Sequence, residues 1–134
     1  MHELSLVEGI IQTVGELATA NGKQVKAVSV GVGELAQFDL RVIRELLAEL
    51  KKGTPLEGAR IQVRLERAKV RCLNCKKEWS FGDIVSPLSK DEKEVVHFFP
   101  EILSTYSRCP SCRKHYLEIE EGRSVRLAEV KFED

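Results

Sequence analysis

The four cysteines of the chain form two C-x-x-C pairs, Cys72 with Cys75 and Cys109 with Cys112. A spacer of two residues lets both sulfurs of a pair reach one ion from a single tight turn, and thiolates are ligands that zinc prefers. Because this spacing occurs twice, we predict one structural zinc site with tetrahedral geometry. Four protein ligands leave no open coordination position, so we expect no catalysis at this zinc.

Two other interpretations of the cysteine pairs remain. A C-x-x-C motif is a redox dithiol when a helix N-terminus activates one sulfur, but here the pairs follow a strand or lie in turns. Four unrelated buried thiols are the other alternative. The 33 residues between Cys75 and Cys109 exceed the usual spacer of a zinc ribbon, so we expect additional structure between the two knuckles.

His2 is placed for a different kind of metal site. Its imidazole, its backbone nitrogen and the chain's terminal amine can form fused chelate rings on one ion. Ionised amide nitrogens are planar donors that suit Ni(II) or Cu(II) rather than zinc. We expect Met1 to be retained, because its removal normally requires a small second residue. The residues alone leave open whether His2 is a ligand or an ordinary polar residue.

The composition is that of a globular chain, with 43% hydrophobic and 31% charged residues. The 21 basic residues equal the 21 acidic ones, which argues against a nucleic-acid binder, since such proteins usually carry a basic excess. No apolar run approaches the roughly 20 residues of a membrane-spanning helix, and the N-terminus lacks the pattern of a secretory signal. We therefore expect a cytoplasmic protein without a membrane segment.

Apolar periodicity predicts the elements that precede the cysteines. A first helix has an apolar face of Leu4, Val7, Ile11, Val14, Leu17 and Ala18. Ser5-x-x-Glu8 resembles its capping box, which would leave residues 1–4 outside the helix, and Asn21-Gly22 is its expected end. A strand is predicted over 25–33, and Asp39 is the expected cap of a second helix that ends near Gly53. Alternation over 60–66 predicts a strand with Ile61, Val63 and Leu65 facing inward.

The segment from Ala68 to about Tyr116 shows little periodicity, and we expect it to lack an apolar core of its own. A metal would supply the missing stability. The charged run Lys90–Glu94 is expected to be a solvated loop. Two strands are predicted over 116–120 and 124–132. Within the second strand, the apolar residues switch from one face to the other. A β-bulge, or the passage of the strand from one domain to the other, would explain this switch.

These elements predict an α+β fold. A small mixed sheet with two helices would occupy residues 1–67 and be completed by a C-terminal strand within 120–134. A four-cysteine, zinc-ribbon-like domain would be inserted over 68–119.

Three motifs together resemble one known family. Met1-His2-Glu3-Leu4-Ser5-Leu6 opens an amphipathic helix, Val32-Gly33-Glu34-Leu35 follows the first strand, and two C-x-x-C knuckles come later. This combination is similar to the HypA family over essentially the whole chain. The resemblance implies a nickel metallochaperone for maturation of [NiFe]-hydrogenase, with Ni(II) as transported cargo, one structural zinc and no enzymatic turnover.

The resemblance also implies residue roles and partners. It makes His2 the essential nickel ligand, helped by backbone nitrogens from Met1 to Glu3, and it adds His97 as a further ligand. His115 matches no motif position and is expected to be structural or solvent-facing. The implied partners are a P-loop nucleotide hydrolase and the large subunit of [NiFe]-hydrogenase. The chain has no G-x-x-x-x-G-K-[ST] motif of its own, so any nucleotide hydrolysis must come from a partner. A homodimer is a further candidate.

Two other functions compete with nickel carriage. A zinc-ribbon adaptor for nucleic acid or the transcription machinery explains the cysteines but neither the N-terminus nor the neutral net charge. A metal-dependent enzyme lacks an open zinc position and an obvious pair of acid and base. Nickel carriage explains the most residues and is the leading hypothesis.

Overall fold

A computed structural model of the protein describes residues 2–134 and divides them into two compact units. The N-terminal unit contains the chain up to Val32 together with Phe38–Leu65 and Val125–Asp134. The cysteine unit contains Gly33–Gln37 and Glu66–Ser124. Each unit combines helices with a three-stranded sheet, so the expected α+β class is confirmed. Within residues 2–134, no helix has the length and apolar character needed to cross a membrane.

In chain order the elements are α1 (Glu3–Asn21), β1 (Val25–Gly33), α2 (Leu40–Leu50), β2 (Arg60–Glu66), β3 (Lys69–Cys72), β4 (Glu78–Ser80), α3 (Phe81–Val85), α4 (Lys90–Phe98), a 3-10 turn (Pro100–Ile102), α5 (Leu103–Tyr106), β5 (Leu117–Glu121) and β6 (Val125–Phe132). The strand order is β2-β1-β6 in the N-terminal unit and β4-β3-β5 in the cysteine unit. The long spacer between the two cysteine pairs thus contains three short helices.

Helix α1 begins earlier than its sequence pattern predicts. The expected capping box at Ser5 and Glu8 is wrong, since the helix starts at Glu3 and the Leu6 N–H already donates to the His2 carbonyl at 3.1 Å. The buried carboxylate of Glu3 accepts the Asp39 backbone N–H at 3.0 Å, which ties the first turn to the start of α2. A contact between residues 36 positions apart therefore holds the first turn of α1 in place.

The structure confirms the predicted end of α1 and the predicted cap of α2, but it corrects the predicted apolar face of α1. Gly22 has a φ of 63° and ends α1 in the left-handed conformation, as predicted from Asn21-Gly22. Asp39 caps α2 by accepting the N–H groups of Arg41 and Val42, which confirms its predicted role. The predicted apolar face of α1 is only partly right. Leu4 and Leu17 are 52% and 40% exposed, and the buried face consists of Val7, Ile10, Val14 and Ala18.

The sheet of the N-terminal unit contains the predicted strands. The inward set of β2 is incomplete, because Val63 is buried but Leu65 is 42% exposed. Strand β6 runs antiparallel to β1, and its register passes from Glu129 opposite Ser29 to Leu127 opposite Val30. Ala128 is thus an extra residue at a β-bulge, which is one of the two predicted explanations for the change of faces. The bulge leaves Val125, Leu127, Val130 and Phe132 all half-buried.

The cysteine unit has an apolar core, contrary to expectation. Its buried residues are Leu35, Ala68, Val70, Phe81, Ile84, Val85, Val96 and Leu103. Trp79 packs against this cluster. The sequence pattern missed the core because Leu35 lies far from the cysteines along the chain and because α3, α4 and α5 contribute only one to three buried residues each.

The charged run Lys90–Glu94 is also not a loop, because it forms the first half of α4. Ser89 accepts the Glu92 backbone N–H at 3.2 Å, and the Glu92 carboxylate accepts the Ser89 N–H at 2.9 Å. This reciprocal pair is a capping box, which satisfies two backbone donors that would otherwise lack partners in the first turn. The same S-x-x-E spacing therefore occurs twice in the chain but caps only one helix.

Two glycines of the cysteine unit allow three segments of backbone to meet. The Leu35 N–H donates to the Gly122 carbonyl at 2.8 Å, and the Gly33 N–H donates to the Ser124 carbonyl at 2.9 Å. A Cβ atom on Gly33 would collide with the backbone of Gly122, and one on Gly122 would collide with Ala68. Gly122 also has a φ of 85°, which favours glycine.

The two S-x-x-E motifs give a first prediction. Ser89→Ala removes the α4 cap, so α4 should lose about 1 kcal/mol of stability. The loss would appear as faster hydrogen exchange of the α4 backbone amides. Ser5→Ala is the matched control, because Ser5 lies inside α1 and makes no capping bond. Equal protection of α4 in the parent chain and in Ser89→Ala would contradict the assignment.

Candidate metal centre

The two cysteine pairs form knuckles with the same backbone hydrogen bonds. In the first, the Lys76 N–H donates to the Cys72 carbonyl at 2.8 Å, and the Cys72 N–H donates to the Lys77 carbonyl at 2.9 Å. In the second, Arg113 donates to Cys109 at 2.9 Å, and Cys109 donates to Lys114 at 3.0 Å. Each loop thus closes on itself and presents two sulfurs on one side.

The residue that follows each knuckle has a left-handed backbone. Lys76 has a φ of 68° and Arg113 a φ of 66°, although neither is glycine. This conformation costs a non-glycine residue on the order of 1 kcal/mol, so the rest of the knuckle must stabilise it. The matching angles show that both turns are built in the same way. Nothing in the sequence indicates this feature, because glycine is the residue expected there.

The four sulfurs lie close enough to share one ion. All four ligand atoms lie within 4.8 Å of one another. Cys72 Sγ lies 3.5 Å from Cys112 Sγ, and Cys75 Sγ lies 3.6 Å from Cys109 Sγ. A tetrahedral ion with metal–sulfur bonds of about 2.3 Å separates its sulfurs by about 3.8 Å. The cysteine cluster therefore fits a tetrahedral metal site.

The electrostatics of the cluster are consistent with a bound cation. Burial raises the pKa of the Cys109 thiol, but the N–H groups of Cys112 and Ser111 outweigh this effect and lower it to about 6. At Cys75, the Lys77 N–H lowers the pKa, yet burial and the neighbouring thiols together raise it to about 11. The surroundings thus favour the thiolate at Cys109 and oppose it at Cys75. A bound divalent cation removes this conflict.

Backbone donors and burial add to the thiolate character of the site. The Cys75 N–H points at Cys72 Sγ, and the Cys112 N–H points at Cys109 Sγ, both at 3.5 Å. Cys72 and Cys109 are fully buried, which excludes water from half of the ligand set. These features are typical of a structural metal site rather than a reactive thiol.

The N-terminal residues predicted to bind nickel are described only in part. Met1 lies outside the described residues. His2 is exposed at the N-cap position of α1, and its side chain makes no capping hydrogen bond. Glu3 is buried, and its carboxylate accepts the Asp39 N–H.

The other two histidines lie in the cysteine unit. His97 is half-buried in the last turn of α4, and its ring meets the Phe98 ring edge to face at 5.7 Å. His115 is exposed, but its Nδ1 lies 2.9 Å from the Ser104 carbonyl and 3.1 Å from the Ser107 carbonyl. His115 thus links the chain after the second knuckle to α5, in agreement with its expected structural role.

Comparison with known proteins decides the family. The family model described as "Hydrogenase/urease nickel incorporation, metallochaperone, hypA" matches residues 1–132. The chain belongs to the HypA family. A factor named hydrogenase maturation factor HypA from Pyrococcus horikoshii is 38% identical over 99% of this chain and 96% of its own length. The factor of the same name from Thermococcus sibiricus is 36% identical over 99% of this chain and 97% of its own.

Solved structures show the same fold. The solution structure of the Ni metallochaperone HypA from Helicobacter pylori matches with a TM-score of 0.59 and 21% identity, over 98% of this chain and 97% of that one. Another HypA solution structure matches with a TM-score of 0.65 and 20% identity, over 98% and 96%. The HypA family consists of nickel-incorporation metallochaperones rather than enzymes, which agrees with the expected absence of turnover.

The four-sulfur site gives a second prediction. Cys109→Ser removes a buried thiolate and opens the tetrahedral shell, so metal retained after dialysis should fall sharply. Elemental analysis of the purified chain measures this loss. Ser111→Ala, which changes a residue inside the same knuckle but removes no sulfur, should retain the parent metal content. Unchanged metal in Cys109→Ser would rule out four-cysteine coordination.

Proposed function

We propose that this chain binds Ni(II) at its N-terminus and delivers it to the large-subunit precursor of [NiFe]-hydrogenase during maturation. The observation that carries the proposal is the HypA family match, which extends over residues 1–132 and so includes the N-terminal segment. The cargo would be held reversibly, because a carrier must release its ion. The cytoplasm is the proposed compartment, since its reducing conditions keep the four thiols available for metal.

His2 is the proposed principal nickel ligand. Its exposed imidazole is not engaged in helix capping, so coordination would break no capping bond. The backbone N–H groups in the first turn of a helix have no intrahelical acceptor, and the helix dipole stabilises negative charge there. Both effects favour ionised amide nitrogens, which are donors for square-planar Ni(II). We propose backbone nitrogens from Met1 to Glu3 as the remaining N-terminal ligands.

His97 is proposed as an additional nickel ligand. Its half-buried ring rests against Phe98, which restricts its orientation at the end of α4. A restricted ring loses less conformational entropy on coordination than a free one. Its contribution should be smaller than that of His2, because the N-terminal chelate does not depend on it.

One zinc ion per chain is the proposed occupant of the cysteine site. Zinc accepts four thiolates in tetrahedral geometry without redox chemistry, and its metal–sulfur distance suits the sulfur separations. The ion would close the two knuckles on each other, while the apolar core holds the rest of the cysteine unit.

The proposed partners follow from the need for release. A P-loop nucleotide hydrolase would supply the nucleotide hydrolysis that this chain's sequence does not encode. The hydrogenase large subunit would be the acceptor, and a homodimer is a further proposed assembly.

The nickel site gives a third prediction. His2→Ala should weaken Ni(II) binding at least about tenfold, because it removes the imidazole from the chelate. Stability and zinc content should stay unchanged, since His2 is exposed. Titration calorimetry with Ni(II) on the zinc-loaded chain measures the affinity.

The matched control is His115→Ala, which removes a histidine that contacts the carbonyls of Ser104 and Ser107 rather than the N-terminus. Its nickel affinity should equal that of the parent chain. A chain extended by one residue before Met1 tests the terminal amine separately and should also bind nickel more weakly. Parent-like affinity in His2→Ala would refute the site.

His97 gives a fourth prediction. His97→Ala should weaken nickel binding by less than His2→Ala does in the same titration, and the double variant should bind more weakly than either single variant. This order follows because each variant removes a different imidazole from one ligand set. If the double variant binds nickel as His2→Ala does, His97 is not a ligand and serves only to pack against Phe98.

A further inference from the structure

Basic residues flank both cysteine pairs in the same pattern. The first pair reads Arg-Cys-Leu-Asn-Cys-Lys-Lys and the second reads Arg-Cys-Pro-Ser-Cys-Arg-Lys. Neither seven-residue segment contains an acidic residue. We call the set of six the basic knuckle surface, and its members are Arg71, Lys76, Lys77, Arg108, Arg113 and Lys114.

The clustering of the four cysteines brings these six residues near one another. Each lies within two positions of a cysteine, and the four sulfurs lie within 4.8 Å of one another. Lys77 Nζ donates to Ser111 Oγ at 2.9 Å and so joins the two knuckles directly. All members except the half-buried Arg71 are exposed. Arg71 pairs with Glu120 at 3.4 Å.

The positive charge of this surface exceeds the charge needed to neutralise four thiolates that bind a divalent ion. Four thiolates around one divalent ion carry about two negative charges in excess, which two cations would balance. Six basic residues surround the site. Removing them from the chain's 21 basic residues leaves fifteen against 21 acidic ones, so the rest of the protein is acidic. The neutral net charge of the chain thus conceals a concentration of basic residues at the knuckles, beside which lie Glu78 and Glu118, the β4 and β5 partners of Arg71.

Two exposed apolar side chains accompany these charges. Leu73 is 47% exposed within the first knuckle, and Tyr116 is 57% exposed just beyond the second. The Leu73 N–H donates to the Tyr116 carbonyl at 2.7 Å, so the two residues lie side by side. Tyrosine and arginine are enriched at the energetic centres of protein interfaces, where an apolar anchor lies among polar contacts.

From these observations we infer that the basic knuckle surface, with Leu73 and Tyr116, docks an acidic segment of a partner protein that carries an apolar side chain. Carboxylates would pair with the exposed cations, and arginine can bind a carboxylate through two parallel hydrogen bonds. The apolar side chain would cover Leu73 and Tyr116. None of these eight residues is a proposed nickel ligand, so the docking surface stands independently of the proposed nickel site.

A protein segment fits this surface better than a nucleic acid does. A nucleic acid is a long polyanion that also meets the field of the surrounding protein, which is acidic outside the surface. A short acidic segment feels mainly the local charge. Tyr116 could pack against either ligand, since bases also stack on aromatic rings, whereas the exposed aliphatic side chain of Leu73 favours an apolar side chain.

The probe for this surface is a short fluorescein-labelled peptide that is rich in Glu and contains one Leu, measured by fluorescence anisotropy on the zinc-loaded chain. Arg108→Glu combined with Lys114→Glu should weaken peptide binding by about tenfold or more, because two attractions become repulsions. Tyr116→Ala should weaken it without a change in charge. Binding by the parent chain should decrease as salt is raised, since salt screens exposed charges.

The matched control reverses two exposed basic residues of α4, Lys90→Glu with Lys93→Glu, which changes the net charge equally outside the surface. This variant should bind the peptide nearly as well as the parent chain does. Parent zinc content in every variant excludes loss of the knuckles. Equal weakening by both double variants, no binding by the parent chain, or tighter binding of a single-stranded oligonucleotide than of the peptide would each overturn the proposal.

Discussion

The closeness of four sulfur atoms, all within 4.8 Å of one another, is the constraint that joins the two knuckles of the cysteine unit across 33 residues of sequence. In the sequence, β4 and all three short helices lie between the two cysteine pairs, so an ion bound by both pairs closes a long loop. Backbone hydrogen bonds prepare each knuckle separately, yet the mutual repulsion of the thiolates opposes bringing the two together. A divalent cation would reverse that repulsion and so stabilise the two knuckles against each other.

The apolar core gives the cysteine unit a second source of stability. Leu35 enters this core from the segment that follows β1, and the glycines at positions 33 and 122 allow the backbone to pass there. Glu34 adds a polar contact, because its carboxylate accepts the Ala68 N–H at 2.7 Å. The segment Gly33–Gln37 is therefore built into the cysteine unit by an apolar side chain, backbone bonds and a buried acceptor together. Loss of the metal would loosen the knuckles without removing these contacts.

The sequence predicts those elements that depend on interactions between residues close together along the chain. Asp39 caps the residues directly after it, the alternation over 60–66 matches β2, and the change of faces in β6 reflects a bulge at Ala128. The clustering of four cysteines also follows from their spacing. The errors involve tertiary contacts or short apolar patterns. No local pattern shows that Glu3 bonds to Asp39, and α4 has only one buried residue, Val96, to reveal its helical period.

The early start of α1 affects the chemistry that the N-terminus can perform. His2 does not lie on an unrestrained tail, because the next residue is fixed to the start of α2 through the Glu3 carboxylate. A chelate built on His2 would begin from a partly ordered backbone and lose less conformational entropy on binding. A carboxylate has about four acceptor positions on its two oxygens, so the Glu3 side chain could bind a metal and still accept the Asp39 N–H. The anchoring of α1 would thus lower the entropic cost of a chelate at His2, but it does not select between the amide nitrogen and the carboxylate of Glu3.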